Sequence, residues 1–297
     1  MRTVTGVERP TTVARLDPGP VEYRLERRGD TTVVVFHGGH VRAGLALGEE
    51  VFAGAGCTVL ALSPPGYGRT PVSTGGSVGG FADATRVLCE HLGVGEVAAV
   101  VGISGGGPTA VTMAARHPDL VGRLILQSAV GWLPWPDRRT RLGAHVMFAA
   151  ATEQATWGAV RTLMRLAPGT GLRMLLGGLS TLPGRDVAAG LGAGDRATLL
   201  ALFSRMRSGR GFLNDLRGTP DASAEVGQPT LVIATRKDGG VPFAHAQSLA
   251  AAIRHAELVE SLADSHFIWF GPDWPTIAER IRVFLATDPP PTPDGRR

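Results

Sequence analysis

Lysine is almost missing from this chain. Of its 30 basic residues all but Lys237 are arginine, and they are offset by 26 acidic residues to a net charge of +4. The basic residues are scattered. A nucleic-acid binder shows a basic stripe or a reading motif, and with neither present no nucleic-acid partner is expected. Cysteine is scarce too. Cys57 and Cys89 both fall in apolar runs, so they read as small buried hydrophobes in a reducing compartment and not as a disulfide. No apolar run approaches the ~18 residues of a membrane span. Met1 to Pro20 has no apolar signal core, so a cytoplasmic location is expected, with no membrane partner. Charged residues make up only 19% against 43% hydrophobic, which excludes a disordered chain. Glycine is plentiful at 41 residues without the three-residue period of collagen.

The hydrophobic pattern carries the organisation. After a polar, proline-punctuated lead-in over the first 20 residues, expected to be loose, Val21 to Arg28 alternates like a strand. Thr32–Phe36, Thr58–Leu62, Val97–Ile103, Leu124–Gln127 and Thr230–Ala234 are short continuous runs rich in β-branched residues. Such runs mark strands buried on both faces. Helical spacing separates them at Arg42–Ala53, Phe81–Leu92, Pro108–Arg116 and Phe243–Arg254. A short strand at Glu257–Leu262 and a last helix at Thr276–Leu285 follow. The alternation predicts an α/β fold, a mostly parallel sheet with helices on both faces. Between about Trp132 and Glu225 the pattern turns helical, which predicts an insertion. The expected organisation is therefore core over 1–131, helical cap over 132–225, core again over 226–286, and a disordered tail over 287–297. That tail carries Pro289-Pro290-Pro291 and cannot continue a helix.

Gly102-Ile103-Ser104-Gly105-Gly106 matches G-x-S-x-G. The pattern alone is weak, because Gly75-Gly76-Ser77-Val78-Gly79 matches it as well. Context separates them. Ser104 follows a buried strand and precedes a helix, where a sharp turn would expose its hydroxyl. Ser77 follows no strand and reads as a helix cap. The Ser104 loop lacks the Gly-Lys-Ser/Thr ending of a phosphate-binding P-loop.

With these residues in place, the chain resembles the α/β-hydrolase family over nearly its whole length. In that family the triad runs nucleophile, acid, histidine along the sequence. The resemblance implies Ser104 as nucleophile and Asp238, in Thr235-Arg236-Lys237-Asp238, as acid. It implies His266, in Ala263-Asp264-Ser265-His266-Phe267, as the general base. Thr235 and Ser265 stand where the family often has glycine. Asp264 is the competing acid, read as shaping the loop. Some members carry the acid after the fourth strand, but no carboxylate lies there before Asp137.

His37-Gly38-Gly39-His40 follows the first buried strand, where the family keeps its oxyanion motif. The implied donors are the N–H of Gly105 and that of Gly39 or His40. The His37 side chain reads as buried and hydrogen-bonded. An H-x-x-H zinc pair lacks a third ligand, so no metal is expected, and the serine-hydrolase chemistry that the resemblance implies needs no other cofactor. Ser63 opens the loop after the next strand, where the family usually has aspartate.

His40, Trp132 and Trp135 are candidates to line a pocket for a small, apolar carbonyl substrate. The aromatic residues of the insertion are otherwise expected to pack it. The resemblance implies a serine hydrolase for a carboxylic ester, lactone or thioester. The alternatives are a cofactor-free cyclase or lyase, a C–C hydrolase, or a non-catalytic ligand-binding member. The sequence does not speak to oligomeric state.

Overall fold

A computed structural model of the chain describes residues 7–136 and 138–287. The expected disordered tail therefore lies outside the described residues from 288 onward. Eight strands form one sheet: β1 (Thr12–Leu16), β2 (Gly19–Glu26), β3 (Thr32–Phe36), β4 (Thr58–Leu62), β5 (Ala99–Ile103), β6 (Leu124–Gln127), β7 (Thr230–Ala234) and β8 (Ala256–Glu260). Their spatial order is β1-β2-β4-β3-β5-β6-β7-β8. From β4 to β8 all neighbours are parallel, while β1 and β2 form an antiparallel edge. The continuous apolar runs became the central strands, buried along their full length.

The helices of the sheet are α1 (Glu50–Gly54), α2 (Val78–His91) and α3 (Gly107–Arg116) before the insertion. The insertion holds α4 (Arg138–Met147), α5 (Glu153–Leu166), α6 (Pro168–Gly177), α7 (Gly184–Gly190), α8 (Ala193–Arg205) and α9 (Gly211–Asp215). After it come α10 (Ala244–Ala252) and α11 (Trp274–Ala286). Alternation along β3 sends Val33 and Val35 to the layer with α1 and α11, and Val34 and Phe36 to the layer with α2, α3 and α10. Trp157, Leu172, Leu199 and Phe203 of the insertion continue the first layer through Phe267 and Ile268. Cys57 and Cys89 are free, buried and on opposite layers, which keeps them apart. Burial pushes the Cys89 thiol up to about 12.

Two expectations change. The lead-in is no loose segment, because residues 12–16 form β1 and pair with β2 through a tight turn from Leu16 to Gly19. The helix expected over 42–53 is only its last turn. Gly48 has φ +71°, and a Cβ there would stand 2.4 Å from the Trp269 ring. A right-handed helix cannot pass through that conformation.

The stretch freed from helix carries a buried charge network beneath the β3 turn. Arg24 pairs with Glu49 and Glu26, and its Nε donates to the Ala43 carbonyl at 2.8 Å. Glu49 also meets His37 Nε2 at 2.7 Å. Burial alone would raise the Glu49 pKa, but its partners His37 and Arg24 outweigh that and hold it below the ordinary value. On the neighbouring strand end, Ser63 donates to the buried Glu22 carboxylate at 2.7 Å. Glu22 also takes bonds from Arg69 and Thr11, and these outweigh its desolvation and lower its pKa. The carboxylate absent at position 63 is thus supplied from β2.

Removing one partner of a buried pair strands the other charge, at about 3–5 kcal/mol. Glu49→Ala, which leaves Arg24 with only the half-exposed Glu26, should cost about 3 kcal/mol. Urea unfolding measures it. An unchanged midpoint would remove this network from the stability of the β3 turn.

Candidate active site

The parallel sheet gathers its strand ends along one edge, and the loops leaving β3, β5, β6, β7 and β8 meet there. Ser104 leaves β5 in a one-turn 3-10 helix that runs into α3. Its φ of +52° is left-handed, a conformation that costs a side-chain-bearing residue on the order of 1–3 kcal/mol. The flanking glycines allow it. A Cβ at Gly106 would lie 2.1 Å from the Phe36 carbonyl oxygen, and one at Gly102 would lie 2.7 Å from Ala110. The turn sets Ser104 between the end of β5 and the start of a helix, where backbone N–H groups are unpaired. Ser77 behaves differently. It is exposed and caps α2, its Oγ accepting from the Gly80 N–H at 3.0 Å.

The β3 turn is pressed against this elbow. A Cβ at Gly38 would stand 2.5 Å from Ser104 Cβ, and a Cβ at Gly105 would stand 3.4 Å from Gly39 N. The Gly39 amide nitrogen therefore lies close to Gly105 at the Ser104 turn. Among the described residues, neither glycine's N–H has a protein acceptor.

Asp238 and His266, on the loops after β7 and β8, are joined by a 2.7 Å bond from His266 Nδ1 to Asp238 Oδ2. Asp238 Oδ1 accepts the Gly240 and Val241 N–H groups at 2.7 and 2.8 Å. Both carboxylate oxygens are thus acceptors. An ionised Asp238 accepts from Nδ1, and in the neutral ring that arrangement leaves Nε2 with its lone pair. The His266 carbonyl accepts from Ser128 Oγ at 2.9 Å, and the Ser104 carbonyl accepts from the Val130 N–H at 2.9 Å. One short segment after β6 therefore holds both the serine and the histidine. Thr235, at the glycine position of the acid loop, donates to the Ala263 carbonyl at 2.6 Å and ties that loop to the histidine loop. Asp264 points elsewhere, paired with Lys237 at 2.6 Å near the surface. Asp137 lies outside the described residues.

The candidate pocket residues have defined partners. His40 has φ +68° and sits among the rings of Phe212, Phe148 and Trp157, with centroids 4.2, 4.7 and 5.1 Å away. Burial pushes its pKa down to about 3, so the ring is neutral near pH 7. Ser208 Oγ accepts from the Trp157 indole at 2.8 Å and lies 2.7 Å from His40 Nδ1. Phe212 lies over Gly39, its ring 3.0 Å from where a Cβ would be. Trp135 donates its indole N–H to the Gly240 carbonyl at 2.7 Å, beside the acid loop. Trp132 donates to the Thr219 carbonyl at 3.0 Å and packs with the layer of α3 and α10. His37 is buried on Glu49, as its sequence position suggested.

Sequence reasoning passed over Asp215 on α9. Its carboxylate accepts the Tyr67 hydroxyl at 2.5 Å, and with Asn214 it lines a small cavity backed by Gly105 and Gly106. Burial raises its pKa to about 7, although the Tyr67 bond works against the rise. Nothing in its local sequence marks it, since the burial comes from the packing of α9 on the loop after β4. Among the described residues no group of three or more His, Cys, Asp or Glu could hold a metal. No described helix is long and apolar enough to cross a membrane.

Known proteins resemble this chain in sequence and fold. A family profile described as alpha/beta hydrolase fold matches residues 31–272. A hydrolase of Bacillus subtilis strain 168, YcgS, whose activity is uncharacterised, is 32% identical over 263 residues, covering 86% of this chain and 92% of its own. Among solved structures, an alpha/beta hydrolase fold protein from Nakamurella multipartita superposes with a TM-score of 0.78 at 24% identity. It covers 93% of this chain and 99% of its own. An enol-lactonase from Burkholderia xenovorans LB400 gives a TM-score of 0.62 at 18% identity, covering 93% and 100%.

The Asp215 carboxyl predicts a pH effect on stability. An acid whose folded pKa is raised from 3.8 to about 7 keeps its proton in the folded chain while the unfolded chain loses it. Stability is therefore greatest below the unfolded value and falls as pH rises through this window. Asp215→Asn has no proton to lose. Its melting temperature should drop less than that of the wild type between about pH 5 and about pH 8. Equal drops in both proteins, followed by circular dichroism, would contradict the assignment.

Proposed function

The chain belongs to the alpha/beta hydrolase fold family, and from that premise we propose that it is a serine hydrolase acting on a carboxylic ester, lactone or thioester. The observation that carries this reading is the 2.7 Å bond between His266 Nδ1 and Asp238 Oδ2. It leaves Nε2 as a base on the loop that Ser128 ties to the strand end holding Ser104.

In this reading His266 Nε2 takes the Ser104 proton as Oγ attacks the substrate carbonyl. Asp238 holds the ring tautomer and stabilises the imidazolium without itself accepting the proton. The amides of Gly39 and Gly105 receive the oxyanion, and losing one such donor costs about 3 kcal/mol. The imidazolium then protonates the leaving group. Water, activated by the same imidazole, releases the acyl group from Ser104. Every proton moves between side chains of this chain, the substrate and water.

The insertion over 132–225 serves as the cap in this reading, covering the core formed by 1–131 and 226–286. Phe148, Trp157 and Phe212 around His40 give the oxyanion side an apolar wall. That supports a small, apolar carbonyl substrate. The enol-lactonase neighbour is compatible with a cyclic ester in such a pocket. The cytoplasm is the proposed location.

Fluorophosphonate labelling of wild type, Ser104→Ala and Ser77→Ala, mapped by mass spectrometry, tests the reading beside a short p-nitrophenyl ester panel. The label should sit on Ser104. Ser104→Ala should lower ester turnover by about 10⁴-fold or more, and Ser77→Ala should keep wild-type turnover. A folded wild type that takes no label at Ser104 and cleaves no ester would overturn it.

A further inference from the structure

The acid and histidine loops are each bonded to one short stretch of the insertion, between α6 and α7. Leu179 offers its carbonyl to the His266 N–H at 2.8 Å. Ser180 forms an isolated antiparallel bridge with Asp238, and the Thr181 N–H donates to the Lys237 carbonyl at 2.9 Å. The Ser180 hydroxyl donates to the Asp264 carbonyl and accepts from the Leu182 N–H at 3.0 Å. Ser180 is buried at 7% exposure. A Cβ at Gly239 would come 2.6 Å from the Ser180 backbone, so the fit leaves no slack.

The Leu179 side chain has its own place. A Cβ at Gly240 would lie 3.0 Å from Leu179 Cδ2, 3.4 Å from Asp238 Oδ1 and 3.6 Å from His266 Nδ1. The leucine side chain and the Asp238–His266 pair thus both border Gly240. An apolar group there keeps water from competing for the carboxylate, and a hydrogen bond is stronger where the surroundings are less polar.

We propose that Leu179–Thr181 is the positioning element of the catalytic pair: Ser180 and its backbone neighbours hold the acid and histidine loops in register, and Leu179 keeps their hydrogen bond dry. The proposal rests on the Ser104–His266–Asp238 reading. None of the three residues touches the reacting atoms. Their effect passes through the orientation of His266, so it appears in the chemical step and not in substrate affinity. A catalytic group displaced by about 1 Å can lose about a hundredfold in rate.

The test compares wild type with Leu179→Ala, Leu179→Met and Ser180→Ala. It reads kcat and KM on a p-nitrophenyl ester, the rate of fluorophosphonate labelling, and the downfield proton resonance of His266 Nδ1–H, assigned by its loss in Asp238→Asn. Leu179→Ala should lower kcat and labelling rate by about tenfold to a hundredfold at unchanged KM, with the resonance broadened by exchange. Leu179→Met should restore most of both. Ser180→Ala should lower kcat in the same direction, and it carries the test alone if Leu179→Ala does not fold. A folded Leu179→Ala or Ser180→Ala with wild-type kcat and resonance overturns the proposal while the triad stands. A wild type with neither label nor resonance removes the triad, and the proposal with it.

Discussion

The hydrogen bond between Asp238 and His266 joins two loops 28 residues apart in sequence, and much of this half of the molecule is arranged to hold it. Neither loop has regular structure to fix it. Each is fixed from outside by backbone groups and hydroxyls: Ser128 and Leu179 on the histidine, Gly240 and Val241 on the aspartate, Thr235 and Ser180 between the two loops. Trp135 adds an indole bond to the Gly240 carbonyl. Bonds of this kind are individually modest, about 1 kcal/mol each. Together they remove the freedom that would let an imidazole ring turn away from its partner.

The other half of the site is held by charge. The β3 turn, which presents Gly39, rests on His37, and His37 rests on the Glu49–Arg24 pair. The next loop rests on Glu22 through Ser63 and Arg69. Buried ion pairs contribute little net stability compared with apolar replacements. Their place directly beneath the Gly38-Gly39 turn suits a role in orientation. The strained Ser104 backbone is wedged between these two supports.

The sheet was legible because its central strands are buried on both faces and so are apolar without interruption. The strand-to-helix turn at Ser104 was legible once a strand before it separated it from Ser77, and the pattern placed Asp238 and His266 on the loops after β7 and β8. What was hidden depended on distant partners. β1 is edge structure, partly polar and separated from the foreseen β2 by a turn at Pro18. The helix pattern over 42–53 was real in spacing, but Trp269, more than 200 positions on, requires a left-handed glycine at 48. Asp215 looks like any surface acid until α9 is packed on Tyr67. Ser180 and Leu179 carry no local signal, since their importance lies in which two loops they touch. Trp132 and Trp135 stood out as large apolar residues, yet their indole N–H bonds tie down backbone that hydropathy cannot anticipate.

The bridge between Ser180 and Asp238 also bears on how such a protein can be rebuilt. An insertion joined to its host only at its two ends could be exchanged for another, much as one changes a lid. Here a strip in the middle of the insertion is stitched to the loops of the host. A chimera that grafts a foreign set of helices between β6 and β7 would keep Ser104 and lose the bonds that hold Asp238 against His266. Exchange would have to leave residues 178–182 in place, with new helices spliced on either side of them.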